Sequence, residues 1–203
     1  MNIASFFEEL IVLENKLISL TPLKNSDFDL LVSFSENEPD LWSFGLMSAA
    51  GSINLKNYIN HALSKKKDEL EYPFLLTENR SGKAIGSSRF YAIDLVNKSA
   101  CIGYTWIGKA FQGSPINFNC KYLMLKYLFE ELSIERVEFR TDVLNLKSVN
   151  ALKKIGAIEE GILRSHLVNA FGKRRDTMIL SIVKDDWFFK LKSVFENDVR
   201  LYS

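Results

Sequence analysis

Apolar residues recur along the chain with two different periods, and the switches between them mark out the elements. From Ile11 to Leu23 they alternate imperfectly and stop at Thr21-Pro22, which predicts a first strand with proline at its exit. Ser26 or Asp27 then stands where a helix cap belongs, ahead of Phe28, Leu31 and Val32 at helical spacing. A stretch rich in Glu, Pro, Trp and Phe from Glu36 to Ser52 reads as a loop. Asn54 is placed to cap a second helix whose stripe is Leu55, Tyr58, Ile59, Ala62 and Leu63. The charge run Lys65-Lys66-Lys67-Asp68-Glu69 reads as its solvated end.

Beyond Tyr72 the period shortens to that of strands. Phe74-Leu75-Leu76-Thr77 and Ala84–Ala92 flank the turn cluster Asn79-Arg80-Ser81-Gly82 as a hairpin, and Ala100–Ile107 makes a third strand. Ser114-Pro115 opens a strong helix with Ile116, Cys120, Leu123, Met124, Tyr127, Leu128 and Leu132 on one stripe. Arg136–Thr141 follows as a strand, Leu146–Ile155 as a helix ended by Gly156, and Ala157–Val168 as a strand. After the turn at Asn169–Gly172 come a last strand, Arg175–Val183, and a terminal helix over about 185–200 carrying Trp187, Leu191, Val194 and Phe195. This order predicts an α/β (α+β) domain with a mixed, mostly antiparallel sheet and helices on both faces. It also predicts one domain over 1–203 with its core at about 11–190.

Composition narrows the possible partners. With 26 basic against 25 acidic residues and a net charge of +1, the chain lacks the broad field that draws nucleic acid or anionic lipid. A hydrophobic content of 47% with 15 Phe supplies a core that needs no disulfide. Cys101 and Cys120 have neither metal-ligand nor redox spacing, so no metal is expected, and Cys120 falls on the apolar side of a helix as a buried thiol. The N-terminus carries Glu8 and Glu9 and no basic segment, unlike a signal peptide, and no apolar run approaches the ~20 residues of a membrane helix. The expected location is the cytoplasm. Monomer and homodimer both remain open.

The strongest local feature is the junction Tyr104-Thr105-Trp106-Ile107-Gly108-Lys109-Ala110-Phe111-Gln112-Gly113-Ser114-Pro115-Ile116-Asn117, a strand running through a tight turn into a helix. Unpaired amides and the helix dipole make such a turn an anion site that suits a pyrophosphate. Any well-capped strand-to-helix turn shares this property.

The succession around it is more specific. Glu14 to Leu23, Ile102-Gly103-Tyr104-Thr105-Trp106-Ile107, Phe111-Gln112-Gly113, Val137 to Asp142, Asn145-x-x-Ser148-x-x-Ala151-Leu152 and Ile155-Gly156-Ala157 together resemble the GNAT superfamily of N-acetyltransferases. Glu160-Gly161-x-Leu163-Arg164 and Arg175-Asp176-Thr177 resemble its RimJ/RimL-type branch, the ribosomal-protein alanine acetyltransferases and their relatives. The resemblance covers about residues 11 to 190. It implies transfer of an acetyl group from acetyl-CoA to an amine, either a protein N-terminus or a small molecule, by direct attack and without metal.

It also implies a site. Two central strands would splay around Trp106, and backbone groups of Trp106 and Ile107 would pair with the pantetheine arm. Gln112, Gly113, Ser114, Ile116 and Asn117 would cradle the diphosphate, although Pro115 removes an amide and Asn117 adds bulk where the family pattern wants little. Asn145 and Ser148 would meet the arm and its sulfur, Ser148 donating a hydrogen bond to the departing thiolate. From the residues alone, Asn145 is equally a helix cap with Ser148 in the first turn.

A strand amide near Trp106 or Ile107 would polarise the thioester carbonyl. Relatives often carry Glu where this chain has Cys101, which leaves Glu138 as the proton relay, with an ion pair to Arg136 or Arg140 as its bland equivalent. His166, in a strand near the acceptor side, has the residue type of a base but reads rather as a satisfied surface histidine. Trp42, Phe44 and Met47 either line an acceptor pocket or form an ordinary aromatic cluster, and Arg174-Arg175 with Asp176 reads as a hairpin ion pair. The departures at Cys101, Pro115 and Asn117 leave room for a non-catalytic acyl-CoA-binding or regulatory module.

Overall fold

The computed structural model describes residues 3–201. Eight strands form one sheet in the order β1-β2-β3-β4-β5-β6-β8-β7: β1 Leu13–Glu14, β2 Ile18–Pro22, β3 Glu71–Glu78, β4 Lys83–Asp94, β5 Ser99–Ile107, β6 Arg136–Asp142, β7 Ile158–Val168 and β8 Arg174–Val183. Every neighbouring pair is antiparallel except β5 and β6. That is the mixed sheet the pattern predicts.

Alternation along the strands separates two cores. Phe74 and Leu76 of β3 enter the larger one with α1 (Ile3–Glu8), α4 (Ile116–Lys126) and α5 (Leu146–Lys154). Leu75, between them, enters the smaller one with α2 (Phe28–Asn37) and α3 (Ser52–Lys67). The residue order of a single strand thus decides which helices lie on which face.

The terminal helical stretch, α6 (Lys184–Asp186), a π turn at Trp187–Leu191 and α7 (Lys192–Leu201), docks through aromatic rings. Fully buried Trp187 lies 5.6 Å from Phe129, Phe195 lies 4.6 Å from Phe118, and the indole N–H donates to Glu130 at 3.0 Å.

Several boundaries differ from expectation, each for a local reason. The single strand expected at Ile11–Leu23 is a small hairpin. Asn15 breaks it, its side-chain oxygen accepting from the amides of Leu17 (2.9 Å) and Ile18 (3.1 Å) while its amide donates to Asn119 of α4. Asp27 stands at the N-cap of α2 as expected, but its carboxylate accepts from the Lys24 amide at 2.8 Å and closes a 3₁₀ turn instead of making a capping bond to that helix. The helix assigned to Asn54 begins at Ser52, where Gly51 turns the chain at φ +83°; Asn54 instead donates to the Ala50 carbonyl. The Glu36–Ser52 segment is only partly loop, with a 3₁₀ turn at Pro39–Trp42. Helix α1 was not expected at all, yet Phe6 and Phe7 bury its inner side against Tyr72.

Candidate active site

Strands β5 and β6 run side by side for only three residue pairs, Ser99 with Arg136, Ala100 with Val137 and Cys101 with Glu138. From Ile102 onward each keeps only its outer neighbour, β5 staying on β4 to Ile107 and β6 on β8 to Asp142. The result is a wedge between two strands of one sheet. It opens nearer the start of β5 than the expected position at Trp106.

A bulge explains the divergence. Ser87 and Arg89 of β4 face Trp106 and Gly103 of β5, so β5 spends an extra residue there, and Tyr104 takes a left-handed φ of +51°. Extra residues of this kind bend a strand and turn its edge.

The bulge is clamped from both sides. On one face the guanidinium of Arg89 lies between the rings of Tyr58 and Tyr104, 4.4 and 4.3 Å from their centroids, and pairs with Glu71 at 2.7 Å. Tyr58 donates to the Tyr104 carbonyl at 3.3 Å. On the other face the buried ammonium of Lys121, from α4, donates to Thr105 Oγ1 at 2.7 Å, and Thr105 meets Ser88 Oγ at 2.7 Å. Burial pushes the Lys121 pKa down. Sequence reading missed Arg89 and Lys121. The one available signal was a charged residue at a strand or helix position facing the core.

Gly113 turns the loop at the wedge mouth with φ +75°, and open space surrounds the position of a Cβ there. Gln112 donates to the Ile107 carbonyl at 2.7 Å, and its own oxygen accepts from Lys147 of α5. The loop and α5 therefore meet across the mouth through Lys147, another residue sequence reading did not single out. Ser114 does not cap α4. Its hydroxyl donates back to the Phe111 carbonyl at 2.5 Å, and the Ile116 amide reaches its oxygen only at 3.4 Å. Pro115 stands at the N-cap, with Ile116 and Asn117 in the first turn. Exposed Gly113 and Ser114, with their amides, remain at the surface of this turn.

Asn145 caps α5, accepting from the Ser148 amide at 3.1 Å, as the residues alone allowed. Ser148 is half-buried, and its hydroxyl makes no hydrogen bond to the described residues. Glu138 lies at the other end of the wedge, at its root. It accepts from Arg136 at 2.9 Å and from Arg140 at 2.6 Å. Burial alone would raise its pKa, but the two guanidinium hydrogen bonds outweigh that and hold the carboxyl below its ordinary value.

Cys101, paired with Glu138 across the root, is buried, and desolvation pushes its thiol up to about 11, so it stays protonated near neutrality. Cys120 is likewise a buried thiol. His166 sits half-buried in β7.

Trp42 packs in the smaller core 5.1 Å from Trp106, with Met47 against the same cluster, while Phe44 is exposed. The expected hairpin ion pair at Arg174–Asp176 is absent. Asp176 accepts from the Ser165 amide, Arg174 donates to the Ser165 carbonyl, and Arg175 donates across the cleft to the Phe44 carbonyl at 3.0 Å. Alternation along β8 sends the neighbours Arg174 and Arg175 to opposite faces. Among the described residues, no group of three or more His, Cys, Asp or Glu could hold a metal ion, and no helix is long and apolar enough to cross a membrane.

Residues 18–158 match the model of the acetyltransferase (GNAT) domain. The chain belongs to the GNAT acetyltransferase family. YjcK of Bacillus subtilis, provisionally named an N-acetyltransferase, is 30% identical over 86% of this chain and 98% of its own. YdaF of the same organism, provisionally named a ribosomal N-acetyltransferase, is 37% identical over 52% of this chain, a match that spans 57% of YdaF, and it supports the RimJ/RimL-like branch. The crystal structure of a GCN5-related N-acetyltransferase from Brucella melitensis superposes with a TM-score of 0.85 at 25% identity, covering 93% of this chain and 85% of the other. The GNAT fold thus accounts for the wedge and its loop, and the chain is an acyltransferase.

Proposed function

We propose that this GNAT protein transfers the acetyl group of acetyl-CoA to a primary amine by direct attack. The observation that carries this reading is the wedge. Past Cys101 the β6-facing edge of β5 has lost its partner strand, while a loop with Gly113 and Ser114 exposed stands at its mouth. An unpaired strand edge presents N–H and C=O groups to any extended chain laid along it, which is what a pantetheine arm offers. The side chains fit that occupant. Trp106 and Ile107 supply the edge; Gln112, Gly113, Ser114, Ile116 and Asn117 frame the diphosphate end; and Lys147 adds a cation there.

The amine nitrogen forms a bond to the thioester carbonyl carbon, the carbon–sulfur bond breaks, one amine proton goes to solvent, and the thiolate takes up a proton. A free α-amino group has a pKa of about 8, so a useful fraction is already neutral near pH 8. Glu138, held ionised by two arginines, is a weak base; its part is to hold the root of the wedge together and, through water, to favour passage of the amine proton to solvent by its negative charge. The Ser148 hydroxyl, without a partner among the described residues, is the donor for the leaving sulfur, and Asn145 fixes the turn that presents it. We place this chemistry in the cytoplasm, where the two buried cysteines remain thiols.

The test is release of CoA thiol from acetyl-CoA with a panel of amines. Ser148→Ala should lower kcat by about 10- to 100-fold with the KM for acetyl-CoA changed less than about twofold, as expected for a hydrogen bond made mainly as charge develops on sulfur. Equal rates in both proteins would remove Ser148 from the mechanism. Tight binding of acetyl-CoA with no release of thiol to any amine would favour the non-catalytic module.

A further inference from the structure

On the face of the sheet opposite α4, beside the open end of the wedge, lies a cation that acetyl transfer itself does not use. Arg175 and Thr177 are two residues apart on β8 and so project from one face. Thr177 pairs in register with Asp142, the last residue of β6, which sets both side chains at the wide end of the wedge rather than at its root. Thr177 is fully buried and its hydroxyl has no hydrogen-bond partner among the described residues. Arg175 is only 8% exposed, and its buried Nε–H has no partner among the described residues either. The guanidinium's hydrogen bond runs from Nη1 to the neutral carbonyl of Phe44. Burial lowers its pKa, and Asp142, Tyr91 and Tyr104 act on it only through space.

A guanidinium stays charged at any working pH, so burying one costs free energy that a carboxylate normally offsets, as Glu71 does for Arg89. Among the described residues no carboxylate is hydrogen-bonded to Arg175; Asp142 offsets its charge only through space. Its vacant Nε edge and the adjacent hydroxyl offer donors to the two oxygens of a carboxylate. Asp142 projects from the same face with the opposite charge, one carboxylate oxygen accepting from the Leu144 amide at 2.9 Å and the other left over among the described residues, so an acceptor carrying both an ammonium and a carboxylate suits the pair. The segment Phe44–Gly45 roofs the place, tied down by Arg175 and by the Ala170 amide, which donates to the Gly45 carbonyl at 3.1 Å. The Arg-Asp-Thr run on β8 thereby acquires a use that the donor side of the site does not explain.

We propose that Arg175 and Thr177 form a subsite for a carboxylate on the acceptor, so that the enzyme acetylates a zwitterionic amine, an amino acid or close analogue, rather than a polyamine or an uncharged amine. This rests on the transfer reaction proposed above, because it takes the wide end of the wedge as the place where the amine meets the thioester.

Two measurements test it. The first compares free amino acids with their methyl esters and with spermidine as acceptors, following thiol release. The free acids should exceed their esters by about 10-fold or more in kcat/KM, and Arg175→Gln should cost the acid about 10-fold more than it costs the ester. Thr177→Val, close to isosteric, should narrow the same ratio by about threefold and guards against misfolding of the arginine variant. Equal rates for acid and ester, a preference for spermidine, or a loss in Arg175→Gln shared by all acceptors would overturn the proposal.

The second measurement titrates N-acetylated small, acidic and aromatic amino acids, and their methyl esters, into the protein with and without CoA. Binding of at least one acid at concentrations where its ester does not bind supports the subsite even if no amine turns over; no binding, or equal binding of acid and ester, sinks it. Failure of acetyl-CoA to bind would instead count against the transferase reading, and the contrast between acid and ester would still report on Arg175.

Discussion

Arg89→Met should lower the stability of the chain by about 3–5 kcal/mol, measured by urea unfolding, because it leaves a buried carboxylate without its cation. Arg89 is wholly inaccessible to water and Glu71 nearly so, and their ion pair is the guanidinium's charged anchor. The remaining Arg89 nitrogens, Nε and Nη2, lack hydrogen-bond partners among the described residues, so the pair carries a desolvation cost that its Coulombic gain has to offset. The double variant Arg89→Met, Glu71→Met should therefore recover most of the loss, since replacing both members removes both uncompensated charges. Activity should not recover with it. The same guanidinium fills the gap between Tyr58 and Tyr104, and methionine cannot hold the +51° turn of Tyr104 in that sandwich. A stable double variant with wild-type kcat/KM for acetyl-CoA would show that the bulge needs no clamp.

Gly86→Ala tests the opposite side of the same strand. Gly86 pairs with Ile107, and a Cβ built on it would sit 2.1 Å from the Trp106 carbonyl oxygen and 3.1 Å from the Ile107 Cα. Both are backbone atoms, so no side-chain rotation relieves the clash. Strand β5 has to move toward the wedge or the hairpin with β4 has to loosen. We expect a loss of about 2–3 kcal/mol in stability, at the upper end of overpacking costs. Affinity for acetyl-CoA should fall by about 10-fold or more, because the displaced residues are the ones whose edge the pantetheine arm uses. Gly82→Ala is the control. Gly82 sits in the β3–β4 turn, outside the strand, with open space around it and φ +67°, so its alanine variant should lose about 1 kcal/mol and bind acetyl-CoA as before. Equal loss of affinity in the two variants would mean that general destabilisation, not the position of β5, explains the effect.

Much of this architecture was legible in the chain because local physics and tertiary packing agree there. The hairpin around Asn79–Gly82, the α4 stripe and the Gly156 stop all carry their own turn or period signals, and each element forms where those signals lie. The failures share a cause, which is side chains committed to distant partners. Asn15 looks like one more polar residue in an alternating strand, and only its bonds to the Leu17 and Ile18 amides, supported by Asn119 more than a hundred residues away, show that it turns the chain.

The same applies to the site. The splayed pair and its loop were inferred from motif order, whereas the cause of the splay was not, because a bulge is a register mismatch between two strands and one strand's sequence does not contain it. Arg89, Lys121 and Arg175 escaped notice because a charged residue reads as solvent-facing until its burial is known. Arg175 was assigned to Asp176 on adjacency alone, and adjacent residues of a strand point apart.

The most direct test of the whole account is amide hydrogen exchange in Gly103–Ile107 and at Gly113, Ser114, Ile116 and Asn117, with and without acetyl-CoA. Amides on the β6-facing edge of β5 past Cys101, and those of the loop, should exchange quickly in the protein alone and gain protection of about 10-fold or more when acetyl-CoA binds; ATP at the same concentration should give none. Protection already present without ligand, or an unchanged β5 edge in protein saturated with acetyl-CoA, would mean that the two strands do not part to receive the thioester.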